Sequence, residues 1–459
     1  MFRSFFPAPR LFFTSAALWL LVSTLIFFTI GAPLRSALSV DRFLVAPACA
    51  PVTPAGPAAA PQDQAAAPAA AANVAPATPA TATPAPTAAA ANCTTDGDLN
   101  FLNGDRIWLY EYVLLVALLF CIFWYVYKRN EWYWWSVVGS TLILLVIYFQ
   151  VQVDAWVNDW SGVFFDMVQQ ALSVPRSVAP DTFYGQIFVL FIVLVPSVLV
   201  SVALQFVTSH YVFRWRKAMN AYYMSHWQQI RTTEGAAQRV QEDTMRFASI
   251  VEDLGTSFFS SLITLAVFLP ILWTLSKNVT ELPILGDVPG SLVWVALIAA
   301  GLGTVILAVV GIRLPGLNFQ NQRVEAAYRK ELVYGEDHAE RADPPTVREL
   351  FANVQRNYFR LYFHYSYFNL ARYGYLSIAG YIPLMALAPS ILAGTLTLGL
   401  YQQVQLAFGQ VSSSFQFFAR AWTTIVELMS IYKRLRIFEG FIPEDQEPIN
   451  EAVGQYATE

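Results

Sequence analysis

The sequence predicts an all-α integral membrane protein with about eight transmembrane helices, and two observations support this fold class. Of the 459 residues, 56% are hydrophobic and only 13% are charged, whereas about a quarter of the residues in a soluble globular protein are charged. In addition, long apolar runs recur along the chain, and a helix needs about 20 apolar residues to cross the hydrocarbon core. Most of the surface is therefore expected to face lipid.

The apolar runs define the candidate transmembrane spans, whose ends are set by charges, prolines and glycines. The eight candidates are Leu11–Ile30, Ile107–Tyr127, Trp132–Val151, Ile187–Val207, Phe258–Leu275, Ser291–Val310, Tyr373–Leu392 and Leu396–Ile425. The last run is longer than a bilayer needs and contains several glutamines. Polar residues at membrane depth usually face a protein partner or a watery cavity.

The first candidate span has features of both a membrane helix and a cleaved signal peptide, because its start is basic and Ala-rich sequence follows. Its apolar run is longer than the about 7–15 residues of a signal core. We therefore expect residues 1–32 to form a retained transmembrane helix.

The basic residues are distributed unequally between the two sides of the membrane. If the N-terminus lies inside, 22 of the 28 Lys and Arg residues fall on the inner side and five on the outer side. Cytoplasmic loops carry an excess of Lys and Arg. The distribution therefore predicts that both termini, including the tail 437–459, are cytoplasmic.

Residues 33–104 differ in composition from the rest of the chain, since Pro51–Ala91 consists mainly of Ala, Pro and Thr. Proline interrupts helical hydrogen bonding, and small side chains offer little apolar area to bury. We expect a largely disordered extracytoplasmic insert. Cys49 and Cys93 bracket the insert, and two alternatives remain open: a disulfide formed in an oxidising compartment, or two unpaired thiols.

The core, residues 105–436, contains two polar segments that are rich in helix-forming residues, 208–257 and 311–372. We expect both to be cytoplasmic excursions in which long helices leave the membrane and fold back. In the second excursion, Pro344 and Pro345 are expected to end one helix before Thr346 caps the next. Such projecting helices are typical of the membrane domains of ABC exporters.

Several sequence segments resemble known transporters. GAAQRVQEDTMRF at Gly235–Phe247 resembles a segment of the peroxisomal-type ABC fatty-acyl transporters. Longer segments resemble the SbmA/BacA family of bacterial inner-membrane peptide transporters, namely Met1–Ala16, Ser209–Ser249, Gly311–Phe351 and Trp422–Arg436. The Ala/Pro-rich insert departs from the family's general pattern, which puts access from the periplasmic side in question.

The resemblance implies a homodimeric, proton-driven importer that moves peptides, including antimicrobial peptides, from the periplasm to the cytoplasm. The chain has no G-x-x-x-x-G-K-[ST] phosphate loop. The tail 437–459 is too short for a nucleotide-binding domain, so we expect no ATP hydrolysis by this polypeptide and no cofactor. The alternative is the membrane subunit of an ABC-type transporter of peptides or fatty-acyl cargo, which would use a separate ATPase.

The histidine, cysteine and serine patterns do not favour an enzyme. The four histidines form no H-E-x-x-H motif, no G-x-S-x-G elbow occurs, and no Cys or His cluster has zinc-like spacing. We therefore expect neither catalysis nor a bound metal. The net charge of -4 does not favour nucleic acid as a partner.

A proton-driven carrier needs groups that bind a proton on one side and release it on the other. Carboxylates suit this role, because burial raises their pKa toward neutrality. We expect a proton relay formed by Glu234, Glu242, Glu252, Glu325 and Glu427. Arg420 precedes Glu427 by seven residues on the same helix face and is a candidate counter-ion. The alternative for each carboxylate is a solvated salt bridge, since the same segments are rich in Arg and Lys.

The charge asymmetry generates a test of topology. In a chain freed of its own three cysteines, single cysteines placed within Ser209–Leu254 should resist a membrane-impermeant thiol reagent in intact cells. Single cysteines within Pro51–Ala91 should react. Labelling of the first segment from outside would contradict the predicted orientation.

Overall fold

The computed structural model describes residues 1–40, 104–233, 236–279, 288–338 and 340–442. Within these ranges every regular element is helical, which confirms the predicted all-α class. Most of the predicted insert lies outside the described residues, as do Cys49, Cys93 and Glu234.

We number the described α-helices of more than ten residues in chain order. They are α1 (Pro9–Leu38), α2 (Gly104–Tyr127), α3 (Ser140–Ser173), α4 (Pro180–Ser225), α5 (Thr244–Leu275), α6 (Ser291–Gly311), α7 (Leu314–Asp337), α8 (Pro344–Ala379), α9 (Ile382–Leu392), α10 (Leu398–Phe415) and α11 (Phe417–Glu439). Two π-helical segments, Trp134–Gly139 and Arg239–Asp243, lead directly into α3 and α5.

Seven helical stretches of the described residues are long and apolar enough to cross a membrane. Six of the first seven predicted spans lie entirely within these stretches, and the third begins at Trp134, two residues after the predicted start at Trp132. The eighth predicted span, Leu396–Ile425, is not among them, because it is divided between α10 and α11. The break is at Gln416, whose φ of -83° and ψ of 2° depart from helical values. The glutamines also lower the hydropathy of this interval.

The start of α8 differs from the sequence prediction. Asp343, and not Thr346, occupies the N-cap position, and Pro344 and Pro345 form the first two residues of the helix. Proline is favourable there because the first helical N–H groups have no partner within the helix. The two prolines therefore open α8 and do not separate two helices.

The chain forms two compact units. The smaller comprises Phe27–Tyr112, in which the rings of Phe27 and Tyr112 lie 5.1 Å apart between centroids. The backbone N–H of Val40 donates to Glu111 in the same unit, at 3.1 Å. The larger unit comprises Met1–Ile26 and Val113–Glu459 and contains all the cavities discussed below.

An aromatic cluster forms one core of the larger unit. Phe5 stacks on Trp215, with ring centroids 5.6 Å apart, and the Trp215 ring meets Phe247 edge-on at 5.8 Å. Tyr223 and Phe438 contact each other in the same cluster. These side chains are fully buried, so the N-terminal segment, α4, α5 and α11 are held together by aromatic packing.

A second core surrounds α10, which packs against α3, α5 and α6. Its buried members include Leu272, Leu292, Leu387, Val404 and Phe408. Because α10 contacts helices from three parts of the chain, its position determines the spacing between them.

Side chains from α3 hold the first turn of α10. The N–H of Leu398 donates to Gln169 Oε1 at 2.6 Å, and the N–H of Gly399 donates to Asp166 Oδ1 at 2.8 Å. Thr397 caps the same helix by accepting from the N–H of Leu400. Three helix N–H groups that lack partners within the helix are thereby satisfied.

Close contact between α3 and α10 requires a glycine at position 399. A Cβ atom placed there would overlap the carbonyl oxygen of Gly162, and this neighbour is backbone that cannot rotate away. Small residues permit such close helix approach in membrane proteins.

This contact predicts the effect of a single methyl group. Gly399→Ala should destabilise the protein by about 1–3 kcal/mol, since overpacking forces the helices apart. Gly409→Ala is the matched control, because a Cβ on this glycine of the same helix meets nothing within 4 Å. Thermal unfolding in detergent measures both variants, and equal midpoints would contradict the proposed contact.

Candidate functional site

A polar cavity of about 750 Å³ lies between α3, α4, α5, α10 and α11. We call it the hydroxyl cavity, because ten of its 22 lining residues carry a hydroxyl group. These are Ser201, Thr208, Thr256, Ser257, Ser260, Ser261, Thr264, Ser413, Ser414 and Thr424. Three glutamines, Gln150, Gln205 and Gln410, add amide groups to the wall.

Five of the ten hydroxyl groups donate to a backbone carbonyl of their own helix. Ser201 Oγ donates to the Ser197 carbonyl at 2.9 Å, and Ser413 Oγ donates to the Gln410 carbonyl at 2.9 Å. Ser261 and Thr256 make equivalent bonds within α5. In these residues the hydroxyl hydrogen is used within the helix, so the oxygen can accept from another donor, as Ser201 Oγ already does from Gln150 Nε2 at 2.6 Å. Such a wall suits a cargo that carries N–H groups.

Three charged residues also line the hydroxyl cavity: Glu252, Asp253 and Arg420. Glu252 is half-buried on α5. Arg420 lies in the first turn of α11, and its Nη2 donates to Gln416 Oε1 at 3.3 Å. Thus the predicted relay residue Glu252 and the predicted counter-ion Arg420 line the same cavity.

Gln416 connects Arg420 to the helices behind it. The Gln416 side chain is buried, and its Nε2 donates to the Tyr375 hydroxyl at 2.8 Å. Tyr375 in turn donates to the Ala299 carbonyl of α6 at 3.0 Å. A chain of hydrogen bonds therefore fixes the amide that contacts the Arg420 guanidinium.

A second cavity, of about 870 Å³, lies between the Arg239–Asp243 segment, α5, α7, α8 and α11. We call it the charged cavity. Among the described residues, four arginines and four carboxylates line it: Arg239, Arg246, Arg329, Arg434, Glu242, Asp243, Glu325 and Glu427. Their formal charges cancel, so ion pairing between the helices is the main electrostatic feature of this cavity.

One arginine of the charged cavity is shared by two carboxylates. Arg246 Nη2 lies 2.9 Å from Glu242 Oε1, and Arg246 Nη1 lies 3.3 Å from Glu427 Oε1. Glu242 precedes α5 and Glu427 belongs to α11, so the shared cation links two elements. The three side chains are between 37% and 50% exposed, and exposed pairs of this kind contribute little stability.

A second ion pair in the charged cavity is more deeply buried on one side. Arg434 Nε and Nη2 donate to the two carboxylate oxygens of Asp243, at 3.0 and 2.7 Å. The Asp243 side chain is only 5% exposed. The hydrogen bond to Asp243 raises the pKa of Arg434 above its usual value, and the two-pronged geometry fixes the orientation of α11.

The structure divides the predicted relay between two cavities. Glu242, Glu325 and Glu427 line the charged cavity, and Glu252 lines the hydroxyl cavity. The structure gives Glu427 a different cation from the one suggested by sequence, since Arg246 and not Arg420 contacts it. The reason is the direction in which the Arg420 side chain extends along α11. Helical side chains point toward the N-terminus of their helix, so Arg420 reaches back to Gln416.

The hydroxyl wall and the role of Asp243 were not predicted from the sequence. Ser257, Ser260, Ser261 and Thr264 recur at helical spacing on α5, and this polar stripe beside an apolar run could have indicated the cavity. Asp243 gave no such signal, because it lies beside Glu242 in a segment crowded with charges.

A helical protein with several membrane spans and polar cavities between its helices has the architecture of a membrane transporter. Residues 129–443 match the SbmA/BacA-like family, a stretch that covers most of the chain. The chain belongs to this family.

Curated relatives are named as ABC transporter proteins. The chain is 28% identical over 367 residues to the inner membrane ABC transporter ATP-binding protein YddA of Escherichia coli, covering 73% of this chain and 62% of the relative. It is 24% identical to an uncharacterized ABC transporter ATP-binding protein of Synechocystis, covering 75% of this chain and 52% of the relative. The chain thus spans only about half to three-fifths of the length of these relatives.

The Asp243–Arg434 pair generates a stability prediction. Asp243→Asn should cost about 1–3 kcal/mol, because it removes a charge-assisted, largely buried acceptor. Glu242→Gln is the matched control: the exposed Glu242–Arg246 pair should contribute less than about 1 kcal/mol. Chemical or thermal unfolding of both variants in detergent measures the difference. A smaller loss in Asp243→Asn than in Glu242→Gln would contradict the assignment.

Proposed function

We propose that this transporter imports peptides, including antimicrobial peptides, from the periplasm to the cytoplasm, and that proton entry drives the import. The observation that carries the proposal is the hydroxyl cavity, a polar chamber between membrane-crossing helices that also contains a half-buried carboxylate. Membership of the SbmA/BacA-like family supports the same conclusion.

The lining of the hydroxyl cavity favours a peptide over a purely apolar cargo. A peptide backbone has one N–H and one C=O group at almost every residue, and each needs a hydrogen-bond partner away from water. Hydroxyl oxygens accept from N–H groups, while the glutamine amides both donate and accept. A fatty-acyl chain would gain nothing from such a wall.

The carboxylates provide the coupling to protons in this proposal. Protonation of Glu252 removes a charge, which lowers the cost of closing the hydroxyl cavity around it. In the charged cavity, protonation of Glu242 or Glu427 would release Arg246 to the other carboxylate and loosen the link between α5 and α11. Glu325 lines the same cavity, and Glu234, outside the described residues, completes the proposed relay.

We further propose a homodimer in the bacterial inner membrane, with both termini in the cytoplasm. The apolar surface of α4 supports an extensive contact with lipid or a second subunit, since Phe188, Leu199 and Phe206 are each about 65% exposed. The name of the Escherichia coli relative includes the inner membrane, and the Lys and Arg distribution favours cytoplasmic termini.

The second candidate function is the membrane subunit of an ABC-type transporter that uses a separate ATPase. The curated relatives favour this function, since their names include the term ATP-binding and their chains are longer than this one. The two candidates differ in their source of energy. The first needs only a proton gradient, and the second needs ATP and a partner.

The deciding experiment is peptide uptake by the purified protein in liposomes without nucleotide. An imposed gradient, acidic on the side that corresponds to the periplasm, should drive accumulation of a labelled peptide. A protonophore should abolish the accumulation. If uptake requires ATP and an added ATPase, the second candidate is correct.

Replacing relay carboxylates by glutamine tests the coupling. Glu242→Gln, Glu252→Gln, Glu325→Gln and Glu427→Gln each keep the side-chain size but fix it neutral, and should reduce gradient-driven uptake at least about tenfold, the change that a loss of 1.4 kcal/mol produces. Glu234→Gln should do the same. Glu336→Gln is the matched control, since Glu336 is exposed on α7 and lines neither cavity. Normal uptake by a folded protein with all five changes would contradict the relay.

The dimer generates a further prediction. The protein in nanodiscs should have the mass of two chains, and the dimeric fraction should carry the uptake activity after reconstitution. An active monomer would contradict the proposed assembly.

A further inference from the structure

Arg420 differs from Arg246 and Arg434 of the charged cavity in having no carboxylate partner among the described residues. Arg246 and Arg434 each contact an acidic side chain, whereas Arg420 contacts the neutral amide of Gln416. The amide oxygen accepts a hydrogen bond but leaves the charge of the guanidinium uncompensated.

The surroundings do not neutralise this charge. Arg420 lies in the first turn of α11, where the helix dipole adds positive potential. The acidic residues of the hydroxyl cavity, Glu252 and Asp253, lie on α5, and no ion pair joins either of them to Arg420 in the described part of the chain. The Arg420 side chain is exposed, so its charge can be reached by a ligand in the cavity.

The guanidinium is also oriented in advance. Gln416 is 5% exposed and is held by Tyr375, whose hydroxyl donates to the backbone of α6. Only one guanidinium nitrogen, Nη2, is used in the contact with Gln416. The other donors of the planar group remain for a ligand, and their geometry matches the two oxygens of a carboxylate.

We infer that Arg420 binds a carboxylate of the cargo in the hydroxyl cavity, with Gln416 as its positioning residue. The ligand class is a peptide with a free carboxylate at its C-terminus or on an acidic side chain. This inference rests on the proposed function, since it adds a specificity determinant to the peptide cavity. The hydroxyl wall binds backbone N–H groups, while Arg420 distinguishes cargoes by charge.

The test compares the binding of one labelled peptide in two forms, with a free C-terminal carboxylate and with a C-terminal amide. The peptide contains no acidic side chain, and the full chain in nanodiscs is held at one pH without a gradient. The carboxylate form should bind about tenfold more tightly, as expected for a charge-assisted contact. A third peptide, amidated but carrying one Asp, separates the terminal carboxylate from a side-chain carboxylate.

Three variants identify the source of the preference. Arg420→Gln should bind the carboxylate and amide forms equally, near the affinity of the wild-type protein for the amide. Arg420→Lys should keep part of the preference, since the charge remains but the two-pronged geometry is lost. Gln416→Glu should lose the preference although Arg420 is intact, because the new carboxylate occupies the guanidinium. Arg348→Gln is the matched control, since Arg348 is exposed and lines neither cavity.

Three outcomes would overturn the inference. Arg420→Gln could keep the preference, it could weaken both peptide forms equally, or it could dissociate the dimer, which would assign Arg420 to the subunit contact. If the wild-type protein binds both forms equally and still imports them along a proton gradient, the inference fails and the proposed function stands. If the wild-type protein neither binds nor imports either form, the proposed function fails with it.

Discussion

The contact between the start of α10 and the middle of α3 determines where the other helices can lie. Lipid offers no hydrogen bonds to an exposed helix end, so a helix that begins among other helices needs polar partners there. Asp166 and Gln169 of α3 supply them, and the close approach of Gly162 and Gly399 brings the two backbones together. Because α10 also packs against α5 and α6, one local contact sets the width of the bundle.

The hydroxyl cavity follows from this arrangement. The backbone break at Gln416 separates α10 from α11, so the last two helices present different faces to α5. Serines and threonines of α5 line the cavity together with Ser413 and Ser414 of α10. Thr256, Ser261, Ser413 and Ser414 donate their hydroxyl hydrogens within their own helices. At these four residues the wall is polar without an unsatisfied hydroxyl donor, which lowers the cost of a polar chamber at membrane depth.

Features that depend on local composition could be predicted from the sequence, and features that depend on distant contacts could not. Apolar length and helix composition are local properties, and they were sufficient for the all-α class and for seven spans. The division at Gln416 depends on a single pair of backbone angles that no hydrophobic pattern reveals. The pairing of Glu427 with Arg246 links residues 181 positions apart, so spacing along one helix suggested the wrong partner. The cavity hydroxyls carry a periodic signal on α5, but a stripe of serines is equally compatible with tight helix packing.

The π-helical segment Arg239–Asp243 constrains the number of residues at this point of the chain as well as their identity. A π-helix bonds residue i to residue i+5, so it holds one residue more than an α-helical stretch that spans the same distance. Deleting one residue here would restore regular α-helix and rotate everything before it by about 100° relative to α5. The residues before the segment, among them Ala236–Gln238, would then present a different face to the helices around them, whereas Glu242 would stay one turn from Arg246. Insertions and deletions in this segment are therefore expected to be more damaging than substitutions, because a change in its length rotates the preceding residues relative to α5.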